Sequence, residues 1–517
     1  MGRRGKRIRA EINVIYHEAD GVKKTKVPLN SVLSDAHGAC SSTVDEYSPA
    51  TGDGVAADDD PAIGESGDDL GDEELSSHHY RRLQRAEDAW SKLREAVIST
   101  TLQNQGFLAG KKCCVCSMVA NCRCLDCSPT MSLCESCASD QHKVHNIFHH
   151  VEILRDGIYF PLKIPRTLIW PDHQCSNGVN FRKLMVVDSR GLQTEVSICF
   201  CECEADFLRL LRFQLWGATP TKPELAFTIN VMELLHTLNL ECQVAVKDFC
   251  AAIEAMANKV ISFPNLRKLY PVLIDSLEEF RIYQHKLTTL TFVASASSVG
   301  DLNNGVICPA CPKSQGTLLE SMDALFIGRK KTAGKSVRSP LFGNLLFCDD
   351  GEVEEFVQHH RQAASKETMG LAYPVWILND LLDEIPEVSG IAIHMLYDIA
   401  CLLERHLQVH EQERIIQHVN FAIPIFHCYG HKAYCQIKYS PRRVSGFGLT
   451  DGEVLERLWS FLRRFGKMTK EMRPNHRVDV LTDALLYYAN KRSASLGKLL
   501  SDRMKRANLT IKMVKMS

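Results

Sequence analysis

Closely spaced cysteines are the first feature of this sequence that could do chemistry. Three Cys-x-x-Cys pairs lie between residues 113 and 137, and four histidines follow directly. Such a pair points two thiolates at one tetrahedral ion, so two pairs complete a structural zinc site. Buried free cysteines are the alternative, but the regular spacing disfavours it. The spacing predicts one zinc held by Cys113, Cys116, Cys134 and Cys137, and a second held by Cys124, Cys127, His142 and His145, with Cys114 and Cys122 as spare ligands.

A second cysteine constellation follows the first along the chain. His173 and Cys175 precede two expected strands, and Cys201 and Cys203 follow them. These four residues predict a further zinc site that closes across the strands. Cysteines that simply pack in a core are the competing interpretation.

Two aspartates stand in apolar runs that are typical of strands. Asp323 lies in such a run over residues 318–328, and Asp398 ends a second one over 391–398. A buried carboxylate is costly unless it has a partner, and magnesium is one such partner. A solvent-facing position for Asp323 and a helix-capping role for Asp398 are the simpler alternatives.

A third acid is expected at the start of a later helix. Thr450 and Glu453 have the spacing of a capping box, which gives Glu453 a structural role. Glu456 lies about one turn further on the same face, so Glu456 is the preferred functional carboxylate and Glu453 its competitor. Two strand acids and one helical glutamate match the ribonuclease-H-like site of polynucleotidyl transferases, which holds two Mg²⁺ ions about 3.5–4 Å apart.

Length and charge describe the protein around these residues. Its 517 residues correspond to about three domains. The net charge of -1 conceals an acidic head and a basic tail: residues 53–74 carry ten acids and no base, while 463–517 carry fourteen Lys or Arg against four acids. No apolar run approaches the length of a membrane helix. The 21 cysteines favour metal binding in a reducing compartment over disulfides.

Hydrophobic spacing divides the chain into segments and predicts a mixed α/β protein. The segments are a disordered head, basic and then acidic (1–78), a helix (79–105), a zinc-binding cysteine cluster (106–204), a helical region (205–300), a ribonuclease-H-like core (301–470) and a basic helical C-terminus (471–517).

Several short segments, taken in order, resemble the Kyakuja–Dileera–Zisupton (KDZ) transposases in the version with an N-terminal CxC-type cysteine cluster. The segments are Cys308-Pro309-Ala310-Cys311-Pro312, Ser321-Met322-Asp323, Leu396-Tyr397-Asp398-Ile399-Ala400-Cys401, His427-Cys428-Tyr429-Gly430-His431, Cys435-Gln436, Gly446-Phe447-Gly448, Asp451-Gly452-Glu453 and Glu456-Arg457-Leu458-Trp459-Ser460, with Phe200-Cys201-Glu202-Cys203 upstream.

The resemblance implies a DDE-type core that cuts and joins DNA with Mg²⁺ or Mn²⁺. Asp323 and Asp398 fall in the two family Asp motifs, and Glu453 and Glu456 in the third motif. Cys308, Cys311, His431 and Cys435 also fall in family motifs, and their ligand types suggest a zinc knuckle beside the core. The implied partner is DNA, as transposon ends and target, and self-association stays open. The basic residues expected to contact phosphates are Lys432, Lys438, Arg442 and Arg443.

One departure from the family pattern leaves the activity open. Asp323 and Asp398 are only 75 positions apart, shorter than is usual in the family. A ribonuclease-H-like sheet needs three antiparallel strands before its first helix, and the sequence supplies two, near Asp323 and near 345–347. The alternatives are therefore an inactive zinc-binding DNA or chromatin adaptor derived from a transposase, or an unrelated interaction protein. The DNA role and the basic residues 3–9 predict a nuclear location.

Overall fold

The computed structural model of the protein describes most of the chain. The described residues are 11–18, 21–28, 72–105, 110–124, 126–128, 130–171, 175, 178–260, 268–289, 308–312, 314–323, 336, 338–363, 370–385 and 390–516. The chain divides into two compact units, Met1–Arg94 and Glu95–Ser517. Within the described ranges, no helix has the length and apolar character needed to cross a membrane.

The first unit contains secondary structure in a segment that was expected to be disordered. Strands β1 (Glu11–Glu18) and β2 (Gly21–Pro28) form an antiparallel hairpin, and helix α1 (Asp72–Gln105) begins before the expected start at residue 79. The disorder argument rested on the acidic run, and β1 instead alternates apolar residues as strands do. Most of the acidic run, up to residue 71, lies outside the described residues.

A small four-stranded sheet carries the first cysteine cluster. Its strands are β3 (Cys122–Cys124), β4 (Ser132–Leu133), β5 (Val151–Arg155) and β6 (Ile158–Pro161), in the order β4-β3-β5-β6. Helix α2 (Glu135–Val144) follows β4 directly. The core beneath them is small, with Cys122, Cys124, Leu133 and Val151 almost fully buried. A core of this size gives little stability alone, so metal ligation is the expected supplement.

A five-stranded sheet follows. Its strands are β7 (Thr167–Leu168), β8 (Asn180–Val187), β9 (Gln193–Phe200), β10 (Leu215–Gly217) and β11 (Leu225–Thr228), in the order β10-β11-β8-β9-β7. Four helices follow or interrupt it: α3 (Asp206–Arg212), α4 (Ile229–Glu241), α5 (Val246–Val260) and α6 (Tyr270–Thr289). The segment 205–300 was expected to be helical only, yet β10 and β11 lie within it. They enter the sheet because β11 pairs in parallel with β8.

A three-stranded, all-parallel sheet comes next along the chain. Strands β12 (Gly316–Met322), β13 (Ile391–Tyr397) and β14 (Val419–Ala422) pair in that order. The sequence of β13 is almost continuously apolar because this strand lies in the middle of the sheet and is packed on both faces. The strand expected near residues 345–347 is instead a turn followed by bends. Among the described residues, this sheet therefore lacks the antiparallel strands of a complete ribonuclease-H-like core.

Helices surround this sheet and then close the chain. Those around the sheet are α7 (Asp350–Ala363), α8 (Ala372–Glu384), α9 (Ala400–Val409), α10 (Glu413–His418), α11 (Ile425–Cys428) and α12 (Ala433–Lys438). The closing helices are α13 (Val454–Arg463), α14 (Gly466–Thr469) and α15 (Pro474–Met516).

The closing helices pack on the helical layer of the five-stranded sheet. Leu240 of α4 lies in one cluster with Leu462, Phe465 and Val480. Beside it, buried Asp483 of α15 accepts hydrogen bonds from Arg281 of α6 and, at 2.9 Å, from His236 of α4. Helices α4 and α6 thus pack directly against the closing helices of the chain.

Candidate functional site

Four thiols converge in the first cysteine group. Cys113, Cys116, Cys134 and Cys137 have their sulfur atoms within 4.8 Å of one another, the pairing that the spacing predicts. The first two come from a turn, and the last two from the start of helix α2. Burial opposes ionisation of Cys113, but backbone N–H groups of Cys116 and Cys134 lower its pKa to about 6. Four thiolates in this arrangement could hold a metal such as zinc.

The second group uses a different histidine from the one expected. Cys124, Cys127, His142 and His149 lie within 4.8 Å of one another. Cys127 Sγ lies 3.3 Å from His142 Nε2 and 3.2 Å from His149 Nδ1. The choice of His145 as a ligand was wrong, because His145 is the exposed C-cap of helix α2.

Partners outside this group hold its ligands in place. His142 is fully buried, and its Nδ1 bonds to the Ala138 carbonyl at 2.8 Å, which leaves Nε2 facing the thiolates. Asp126 accepts a 2.7 Å hydrogen bond from the backbone N–H of His150 and also pairs with Arg190. Supporting contacts of this kind are what orient metal ligands in known sites.

The two spare cysteines of this region lie outside both groups. Cys122 is fully buried, and burial, reinforced by Glu135, raises its pKa to about 12. It is therefore a neutral core thiol, whereas Cys114 is exposed.

Three thiols meet at the open end of the β8–β9 hairpin. Cys175 precedes β8, while Cys201 and Cys203 follow β9, and the three sulfur atoms lie within 4.8 Å of one another. An antiparallel hairpin brings these flanks together, with Asn180 opposite Phe200. The fourth expected ligand, His173, lies outside the described residues.

The expected zinc knuckle is divided between two ends of the parallel sheet. His431 and Cys435 group with Cys401, whose Sγ lies 3.5 Å from His431 Nδ1. The pairing with Cys308 and Cys311 was wrong because those residues precede the first residue of β12, whereas Cys401 follows the last residue of β13. Cys401 was missed as a ligand, although it stands only three residues after Asp398.

The predicted acids come together at the carboxyl end of this sheet. Met322 is opposite Tyr397 in the parallel register, so Asp323 and Asp398 follow equivalent positions on neighbouring strands. Glu453 and Glu456, at the start of helix α13, line the same cleft. The cleft volume is about 10 Å³, close to what one water needs. Such a space is large enough for a single small ion.

Each acid in the cleft has a specific partner. Asp323 Oδ2 accepts a 2.7 Å hydrogen bond from the indole N–H of Trp459, and Asp398 Oδ1 accepts one of 2.8 Å from its neighbour Ile399. Glu456 lies 3.6 Å from His427 and is partly exposed. Trp459 and His427 were missed as site residues, although both lie within segments that carry the family resemblance.

Glu453 does not form the expected capping box. It is itself the N-cap residue of α13, and its Oε1 accepts a 2.9 Å hydrogen bond from the backbone N–H of Phe426. Thr450 accepts from Gly452 instead. Gly452 is required between them because its φ is +81° and a Cβ there would lie 3.0 Å from Leu396 and Pro424.

The electrostatics of the cleft favour a cation. Burial raises the pKa of Asp398, and the nearby Asp323 carboxylate raises it further, against the opposing effect of Ile399 N–H, His427 and His431. The same two acids, together with burial as the larger cause, raise the pKa of Tyr397 to about 12. Among the described residues, the groups with all ligand atoms within 4.8 Å consist of cysteine and histidine. The acids of the cleft form no group of this kind, because their carboxylate oxygens do not all lie within 4.8 Å of one another.

The four expected phosphate contacts differ in availability. Lys432 and Arg443 are exposed, and Arg442 is exposed with one hydrogen bond to the Gly448 carbonyl. Lys438 is already engaged: its Nζ lies 2.9 Å from Glu404 and from the Tyr439 hydroxyl.

Comparison with protein families confirms the resemblance. Residues 364–487 match the model of the Kyakuja-Dileera-Zisupton transposase, and residues 168–260 match that of the CxC2-like cysteine cluster associated with KDZ transposases. The first match contains Asp398, Glu453 and Glu456 but not Asp323, and the second contains Cys175, Cys201 and Cys203. No curated protein and no solved structure matches the chain.

Proposed function

Because residues 364–487 carry a KDZ transposase domain, we propose that the protein cuts and joins DNA through a DDE-type site made of Asp323, Asp398 and Glu456. The observation that carries this proposal is the register of the parallel sheet. It puts two aspartates side by side at the ends of β12 and β13, facing a helix that brings the third acid.

The donor set fits divalent metal of the magnesium class. Mg²⁺ prefers carboxylate oxygens. Burial, and after it the neighbouring Asp323 carboxylate, raises the pKa of Asp398, and a bound cation would offset both effects. Mg²⁺ or Mn²⁺ bound there supplies Lewis-acid stabilisation of the phosphoryl oxygens. Asp323 and Asp398 would be its fixed ligands, since a strand end orients each of them.

Glu456 is the better third acid. The carboxylate of Glu453 is held by the Phe426 N–H, which fixes the start of α11 against the start of α13. Among the described residues, the ionic contacts of Glu456 are long, 3.6 Å to His427 and 3.9 Å to Arg463, so its carboxylate can turn to an ion at little cost. Glu453 then acts as a positioning residue.

An exposed surface next to the cleft suits the DNA backbone. Lys432, Arg442 and Arg443 supply positive charge, and Phe426, Tyr429 and Tyr434 are at least two-thirds exposed in the same segment. Basic side chains contact phosphates without reading sequence, and exposed aromatic rings stack on unpaired bases. A DNA strand whose end is being joined offers both phosphates and unpaired bases.

The remaining predictions fit this role as parts of the same proposal. The cysteine and histidine groups bind structural zinc, the DNA partners are transposon ends and target, and the protein acts in the nucleus. Self-association is part of the same proposal, and the exposed apolar residues of α15 offer a surface for it.

One observation favours a second candidate function, that of an inactive zinc-binding DNA adaptor. The described part of the sheet has three parallel strands, and the interval between Asp323 and Asp398 contains helices α7 and α8 where antiparallel strands were expected. A core with this sheet would keep the protein surface that contacts DNA but would not catalyse strand transfer.

The deciding experiment is a DNA cleavage assay with the full chain. The substrate carries the genomic sequences that flank this gene on both sides, and Mg²⁺ or Mn²⁺ is added. The wild type should nick or join this DNA, Asp398→Asn should abolish the reaction, and Asp383→Asn, an exposed acid of α8, should leave it intact. DNA binding without cleavage by the wild type would instead identify the adaptor.

A further inference from the structure

Three histidines from helices α7 and α9 lie close together. His406 lies in the last turn of α9, His410 is its C-cap residue, and His360 comes from α7. The ring centroids of His406 and His410 are 4.2 Å apart, and His360 lies 5.1 Å and 5.6 Å from them. Neither family match nor the proposed DNA site gives these residues a role.

The cluster is buried at its centre and open at its edge. His406 is only 4% exposed, and the Nε2 atoms of His406 and His360 are 2.8 Å apart. His360 and His410 are half-buried.

We propose that His360, His406 and His410 bind a divalent transition metal ion of the zinc class, with water in the fourth position. His406 and His410 have the i,i+4 spacing that puts two ligands on one helix face, and His360 faces them from the neighbouring helix. Imidazole nitrogen is a preferred ligand of zinc, and three histidines with a water form a known coordination set.

The distances between the ring nitrogens show what must change before an ion can bind. Two nitrogens on one zinc lie about 3.3 Å apart, given bonds of about 2.0–2.1 Å and tetrahedral angles. The His360–His406 contact is shorter than this, at 2.8 Å. Unlike the four Cys/His groups, the three histidines do not place one nitrogen each within 4.8 Å of one another, so the rings must rotate to admit the ion. Packing of Phe356 against His360 at 5.8 Å is the competing, purely structural explanation.

A bound ion would join α7 to the core. Both helices are anchored beside the site, α7 by Val357 and α9 by Leu403 and Leu407, all fully buried. The ion would replace a neutral His–His hydrogen bond with a cross-link between these helices. This proposal is independent of DNA cleavage.

The test measures zinc per chain in the full-length protein by elemental analysis. His360→Ala and His410→Ala should each lose about one equivalent relative to wild type, and His359→Ala, an exposed neighbour on α7 bonded to its own backbone, should lose none. Equal zinc content in all four proteins would overturn the proposal.

A second measurement needs no variant. Zinc added to the chelator-treated wild type should protect His360 and His410, but not His359, from diethyl pyrocarbonate, as mapped by peptide mass. Equal modification of the three histidines with and without zinc would exclude the site even if the variants fail to fold.

Discussion

The indole nitrogen of Trp459 donates a 2.7 Å hydrogen bond to Oδ2 of Asp323. Trp459 lies three residues after Glu456 on helix α13, so one helix face both brings the third acid and holds the first. The orientation of Asp323 therefore depends on this helix as well as on its own strand, β12.

Trp459→Phe keeps the ring packing and removes the donor. Loss of a hydrogen bond to a metal-ligating carboxylate typically costs 10–100-fold in metal affinity or activity. We expect cleavage to need about 10–100-fold more Mg²⁺, with the fold unchanged by circular dichroism. Trp376→Phe, on helix α8, is the control, and an equal Mg²⁺ requirement in both variants would show that the hydrogen bond is not used.

Substitution of His149 should release one zinc ion from the second cysteine group. His149→Ala removes a ligand 3.2 Å from Cys127, so one equivalent of zinc should be lost and the small four-stranded sheet destabilised. His145→Ala removes an exposed C-cap side chain and should retain full zinc content. The assay is elemental analysis after gel filtration, and zinc loss from the His145 variant alone would reverse the ligand assignment.

The buried Asp483 should stabilise the contact between the two halves of the second unit. Asp483→Asn leaves Arg281 without its counter-charge, and breaking a buried ion pair typically costs about 3–5 kcal/mol. We expect the free energy of unfolding in urea to fall by an amount in that range. Asp502→Asn, on the exposed part of α15, should change it by less than about 0.5 kcal/mol.

The same aspartate should give the protein an acid-sensitive stability. Burial alone would raise the pKa of Asp483, but Arg281 and His236 outweigh it and lower that pKa below its ordinary value. Its contribution is therefore complete above the unfolded pKa of about 3.9 and is lost as pH falls through the lower folded value. In Asp483→Asn, this part of the decline in unfolding free energy below about pH 4 should disappear.

The phosphate-contact surface can be tested through salt. Each lost phosphate contact reduces the slope of log affinity against log salt by about 0.9 on duplex DNA. We expect Lys432→Ala and Arg443→Ala each to reduce the slope by about this amount. Lys438→Ala should leave it unchanged, because Lys438 is already paired with Glu404. A slope that is the same in all of them would place the DNA elsewhere.

Local spacing was enough to predict the parts of the site that are close in sequence. The grouping of Cys113, Cys116, Cys134 and Cys137 follows from pair geometry, and the position of Asp398 at a strand end follows from an apolar run. Asp323 was expected inside such a run, but it directly follows Met322, the last residue of β12. Spacing did not predict that His149 rather than His145 lies with the cysteines, because this depends on where α2 ends and how the chain turns afterwards.

Long-range pairing was beyond what spacing can tell. Cys401 joins His431 and Cys435 only because β13 and its following helix lie beside the loop after β14. The two short strands β10 and β11 are similarly recruited by a partner, β8, that lies some 40 residues upstream. In both cases, the sheet register rather than the local sequence decides which residues meet.

The packing of α4 and α6 against α15 has a consequence for truncation of the chain. A chain that ends between α6 and α15 would lack the acid that balances Arg281 and would leave Leu240 without Val480 as a neighbour. Helices α4 and α6 are therefore expected to need residues about 200 positions downstream to complete their packing.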